Sequence, residues 1–112
     1  MKLRTFQEVL IETLKSPQTA AAFLEVNLDE YDKEFFLVAL RDVVEANGGV
    51  LKLSRKTKLN RANLYRMMSK NGNPEIMTLN KVLNAMGLRL SVAVLQKNKK
   101  QKPPRQSTKN LL

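Results

Sequence analysis

The chain has 112 residues, 43% of them hydrophobic, with no cysteine, no histidine and a net charge of +10; that is enough for one compact core and too little for two. The two missing residue types remove thiol nucleophiles, imidazole bases and the usual zinc ligand sets, so no metal, other cofactor or small-molecule substrate is expected. Almost all the acids lie in the first half and none is tied to a phosphate loop or a metal-ligand cluster, which makes an enzyme the least expected class.

The charge is split along the chain. Residues 1–47 carry five bases against nine acids, a net of −4; residues 48–112 carry fifteen bases against Glu75 alone, a net of +14. An acidic half suited to a protein partner and a basic half suited to a polyanion follow from that division. The opening stretch, Met1 to Leu14, is interrupted by Glu8 and Glu12. It reads as neither signal peptide nor membrane span, so a cytoplasmic protein without membrane contact is expected.

In chain order, Thr5 to Lys15 sets Phe6, Val9, Leu10 and Leu14 at helical spacing. Ser16-Pro17 is a capping hydroxyl followed by proline at a first helical position, opening a second helix to about Asp29 with Ala20, Phe23, Leu24 and Leu28 inward. A third starts after Asp32 and carries Phe36, Leu40, Val43 and Val44 until Gly48-Gly49 stop it. Two short helices follow, Val50 to Thr57 and Arg61 to Ser69, joined by the turn Lys58-Leu59-Asn60, with Asn60 as cap. After the turn-rich Lys70 to Pro74, Thr78 opens a further helix with Leu79, Val82, Leu83 and Met86 inward, closed by Gly87.

Residues 88–95 change period: Leu88, Leu90, Val92 and Val94 alternate with Arg89, Ser91 and Ala93, as in a β-strand. One strand cannot satisfy its own backbone, and with no second strand in the chain its partner is expected to be another copy, making a homodimer. Residues 97–112 hold six bases, no acid and Pro103-Pro104, which predicts a disordered basic tail. The expected organisation is thus acidic N-terminal helices over 1–31, a DNA-binding domain over 32–96 and the tail. The fold class is mainly α, with five to six helices.

The segment from Val50 to Lys70 has seven bases and no acid around two short helices and a tight turn, the pattern of a helix-turn-helix. Leu53, Leu59, Leu64 and Met67 or Met68 turn inward. That leaves Arg61, Ala62, Tyr65 and Arg66 as candidate base contacts, because arginine matches the two major-groove acceptors of guanine and a methyl can touch thymine. Lys52, Arg55, Lys56, Lys58, Asn60, Asn63, Ser69 and Lys70 are the candidate phosphate and positioning contacts.

Gly48-Gly49, Leu53, Leu59, Leu64-Tyr65-Arg66, Gly72-Asn73-Pro74, Thr78-Leu79, Val82-Leu83 and Met86 to Val92, with Ala20 to Leu24 and Phe35 to Val43 upstream, make the chain resemble the Xre-type addiction-module antidote proteins. The resemblance covers residues 15–95. It implies a lambda-repressor-like helix-turn-helix fold and a transcriptional repressor that neutralises a RelE-type toxin and represses its own operon. The family usually has a small residue such as alanine where Ser54 stands and glycine where Lys58 stands. Toxins of that type act on RNA and are basic, so Glu8, Glu12, Glu25, Asp29, Glu30 and Glu34 form the expected counter-surface. The DNA partner is expected to be an inverted-repeat operator with half-sites about 10 base pairs apart. Two other readings share the basic face: a free-standing Cro-like phage or chromosomal repressor with no toxin, and an RNA-binding or architectural protein without sequence preference.

Overall fold

The computed structural model describes residues 3–30 and 32–96, so the expected basic tail lies outside the described residues. Six helices make up the regular structure there: Phe6–Thr13 (α1), Pro17–Glu30 (α2), Lys33–Ala46 (α3), Gly49–Thr57 (α4), Arg61–Met67 (α5) and Ile76–Ala85 (α6). The local reasons are legible in the caps. Thr5 Oγ1 accepts from Glu8 N–H at 3.0 Å while the Glu8 carboxylate accepts from Thr5 N–H at 2.9 Å, a reciprocal box that starts α1. Ser16 Oγ accepts from Thr19 N–H at 3.3 Å at the head of α2, and Asp32 accepts from Phe35 N–H at the head of α3.

The core is built around α3, which buries Phe36, Leu37, Ala39, Leu40, Val43 and Val44. α1 and α2 pack on one side of it and α4 on another; α4 in turn holds α5 and α6. Leu14, Ala20 and Leu24 from the N-terminal helices join Leu53, Leu64, Met68, Val82, Leu83 and Met86 from the rest in one apolar cluster. The acidic and basic halves of the chain therefore share a single core.

Four expectations are corrected. α1 buries no residue of its own: its contact with α3 is centred on Leu10 and Leu14, which leaves Phe6 and Val9, expected inward, at the outer edge of the stripe and exposed. Leu28, near the end of α2, is likewise exposed. α5 is shorter than 61–69, ending at Met67 with Met68 as its C-cap. The last helix begins at Ile76, with Glu75 in extended conformation before it, and not at Thr78; Ile76 and Met77 face solvent, so the apolar stripe starts a turn later than the helix.

No strand is formed among the described residues. Over the segment expected to be one, Leu90 N–H donates to Asn80 Oδ1 at 2.8 Å, and the Asn84 carboxamide, turned to donate, reaches the Leu88 carbonyl at 2.9 Å. Leu88 and Leu90 lean on the core, whereas Val92 and Val94 are exposed.

Candidate nucleic-acid interface

The turn between α4 and α5 is closed by its own side chains. Thr57, buried at the end of α4, donates through Oγ1 to the Leu53 carbonyl at 2.8 Å and accepts from Leu59 N–H at 3.2 Å. Ser54 Oγ donates to the Leu59 carbonyl at 2.6 Å, so a small hydroxyl residue sits where the two helices meet. Lys58 takes the left-handed conformation (φ 66°, ψ 19°), with its N–H on the Ser54 carbonyl at 2.8 Å. That conformation is the one glycine adopts without steric penalty, which accounts for glycine at this place in the family the sequence resembles. Asn60, extended, then caps α5 by accepting from Asn63 N–H at 3.2 Å.

α5 is held by its inner side and presents its outer one. Leu64 is 1% exposed and Met68 1%, while Arg61, Ala62, Asn63, Tyr65 and Arg66 all stand in solvent, Tyr65 at 61%. Arg61, Ala62, Tyr65, Arg66 and Ser69 follow a spacing of one, four, five and eight residues and so lie along one helical face. All four candidate base-contact residues are therefore brought together. Beside them runs an open cleft of about 500 Å³ whose walls include Asn63, Arg66, Ser69, Asn73 and Glu75.

The candidate positioning residues divide. Lys52, Arg55, Lys58, Asn60, Ser69 and Lys70 are exposed around this face. Lys56 is exposed too, but its Nζ donates to the Ala85 carbonyl at 3.1 Å, placing the ammonium at the C-terminus of α6, where the helix dipole favours a cation. Asn63 Oδ1 accepts from Arg66 Nη2, so this amide holds the guanidinium beside it. Ser69 Oγ donates to the Arg66 carbonyl at 2.8 Å.

One residue that fixes the interface was not singled out from the sequence. Arg41, on α3, donates through Nη1 to the Met68 carbonyl at the end of α5, tying the exposed helix to the central one across 27 residues of chain. No local signal marks such a pairing; only the fold brings the two together. Gly72 has a comparable role. A Cβ there would lie 2.1 Å from the Met67 carbonyl oxygen, so the chain leaving α5 passes against the helix end too closely for any side chain.

Among the described residues no group of three or more acidic side chains gathers as a metal site, and no helix is long and apolar enough to cross a membrane. The family model described as "Probable addiction module antidote protein" matches residues 2–94 of the chain. An uncharacterized protein of Haemophilus influenzae is 32% identical over 81 residues, which span 72% of this chain and 82% of that protein. No solved structure matches the chain significantly.

Proposed function

This chain belongs to the addiction module antidote family, and from that premise we propose that it is the DNA-binding antitoxin of a toxin–antitoxin module and the repressor of its own operon. α4, the turn and α5 act as a helix-turn-helix of the Xre type, with α5 in the major groove and α4 crossing the backbone. The observation that carries this reading is the exposure of Arg61, Ala62, Tyr65 and Arg66 on one face of a helix anchored by Leu64 and Met68, within a stretch of seven bases and no acid.

Arg61 and Arg66 read bases, Ala62 and Tyr65 line the groove beside them, and Asn63 orients Arg66. Lys52, Arg55, Lys58 and Lys70 set register on phosphates, with Asn60 and Ser69 beside them and Lys56 joining through the donors it does not give to α6. Residues 32–96 act as the DNA-binding unit, and the acidic helices before them face the toxin. A homodimer forms when residues 88–95 pair with a second copy. Asn80 and Asn84 hold the edge of Leu88 and Leu90, which in a strand leaves the alternate edge, that of Arg89, Ser91 and Ala93, for the partner. The toxin is of the RelE type, and the setting is the cytoplasm. Membership in the antidote family favours this reading over a Cro-like repressor without a toxin.

The test is a binding series on the chain's own promoter region at fixed salt. The operator is expected to be held about a thousandfold tighter than random DNA. Arg66→Ala removes about 1–3 kcal/mol at one base position of each half-site. Lys52→Ala weakens every sequence alike and lowers the salt slope by about 1. Equal effects of the two substitutions on operator and random DNA would refute the division into reading and positioning residues.

A further inference from the structure

The N-terminal half leaves apolar surface uncovered where α1 meets α3. Phe6 is 80% exposed and Val9 46% on α1; Phe35 is 54% and Val38 40% on α3. Gln7 Nε2 donates to Asp42 Oδ1 at 3.0 Å across the seam, which sets Phe6 and Val9 beside the stripe that Asp42 shares with Val38, four residues back, and Phe35, seven back. The stripe is bounded on its other side by Arg41, whose guanidinium is turned to the end of α5. Glu34 lies four residues before Val38 and Glu45 seven after it, both exposed, and α1 adds Glu8 and Glu12. Four large apolar side chains rimmed by carboxylates are therefore presented together. Such a patch has the composition of an interaction site and not of a merely solvated face.

We propose that this α1–α3 face is the docking surface for the toxin, a basic protein whose cations meet the acidic rim and whose apolar residues cover Phe6, Val9, Phe35 and Val38. The inference rests on the antitoxin reading above. A protein that acts on RNA must itself approach a polyanion and is basic, and residues 1–47 carry a net charge of −4 against it. A second copy of this chain fits worse, because it would set Glu34 and Glu45 against their own equivalents. The chain's own basic stretch over 97–110 has the charge but no large apolar side chain to cover the phenylalanines. DNA is repelled by the same carboxylates.

The experiment uses the full chain and, as probe, the purified protein encoded by the reading frame adjoining its own. Val38→Arg sets a cation in the middle of the patch and is expected to weaken that complex about a hundredfold, and Phe6→Ser about tenfold. Both residues are exposed, so both variants should melt as the parent does and bind operator DNA with unchanged affinity; Arg66→Ala should show the reverse pattern. The complex should weaken with added salt and should slow amide exchange over residues 6–12 and 35–42. Failure of the parent chain to bind the probe overturns the antitoxin reading and this surface with it. Binding by the parent with both variants unimpaired overturns the surface alone. A change in the oligomeric state of the chain by itself in Val38→Arg would assign the face to a second copy and also overturn the proposal.

Discussion

Replacing Lys58 by glycine should stabilise the protein, although it removes a side chain from the centre of the candidate interface. Lys58 is the one non-glycine residue with positive φ among the described residues, at 66°. A left-handed conformation costs an L residue about 1–2 kcal/mol. Glycine relieves that strain but has a freer unfolded chain, which returns about 0.4–1 kcal/mol. The expected net gain is about 0.5–1 kcal/mol, or about 2–6 °C in Tm for a domain of this size. The charge is also lost, and easing repulsion within a basic stretch acts in the same direction. Lys58→Ala separates the two effects, since it removes the charge and keeps the Cβ. Thermal melts at one ionic strength should therefore place Lys58→Gly above Lys58→Ala, while both variants lose about one phosphate contact from the salt dependence of DNA binding, a slope change near 0.9. A glycine variant melting at or below the alanine variant would refute the assignment of strain to this backbone position.

Two further substitutions test what holds α5 in place. Gly72→Ala drives a Cβ to within 2.1 Å of the Met67 carbonyl oxygen; backbone must move, and urea unfolding should show a loss of about 3 kcal/mol, the upper end for overpacking. A loss within experimental error would mean that the chain leaving α5 is not pinned there. Asn60→Ala removes the cap that accepts from Asn63 N–H and should cost about 1 kcal/mol, with Asn60→Asp or Asn60→Ser restoring most of it; a serine variant no better than alanine would argue that the cap is idle.

What was legible in the sequence is what depends on neighbours along the chain. Asp32 and Asn60 were readable as caps because a short polar acceptor before an apolar period has one local use. The inward sets of α3 and α6 were readable because a helix lying against a core on one side buries a fixed period. Where that condition fails, so does the reading. α1 is eight residues long and touches the core by one edge, so the period that marks Phe6 and Val9 as apolar says nothing about what covers them. Thr78 looked like a helix start because Ile76 and Met77 are exposed on the first turn of α6, where apolar periodicity carries no information.

The parts of the site that were not legible are the long-range ones. Arg41 and Lys56 read locally as charges on helix faces, yet each gives its cation to the carbonyl end of another helix, at Met68 and Ala85. Those two pairings, with Gly72, fix where α5 stands relative to α3, α4 and α6. Sequence periodicity can therefore name the side chains that point outward from α5, but the rigidity with which they are presented comes from residues 13 to 29 positions away, whose charges are aimed inward at the scaffold. It follows that a basic stretch is not a uniform polyanion-binding strip: within Val50 to Lys70 the cations divide into those available to a ligand and those that hold the helices which present them.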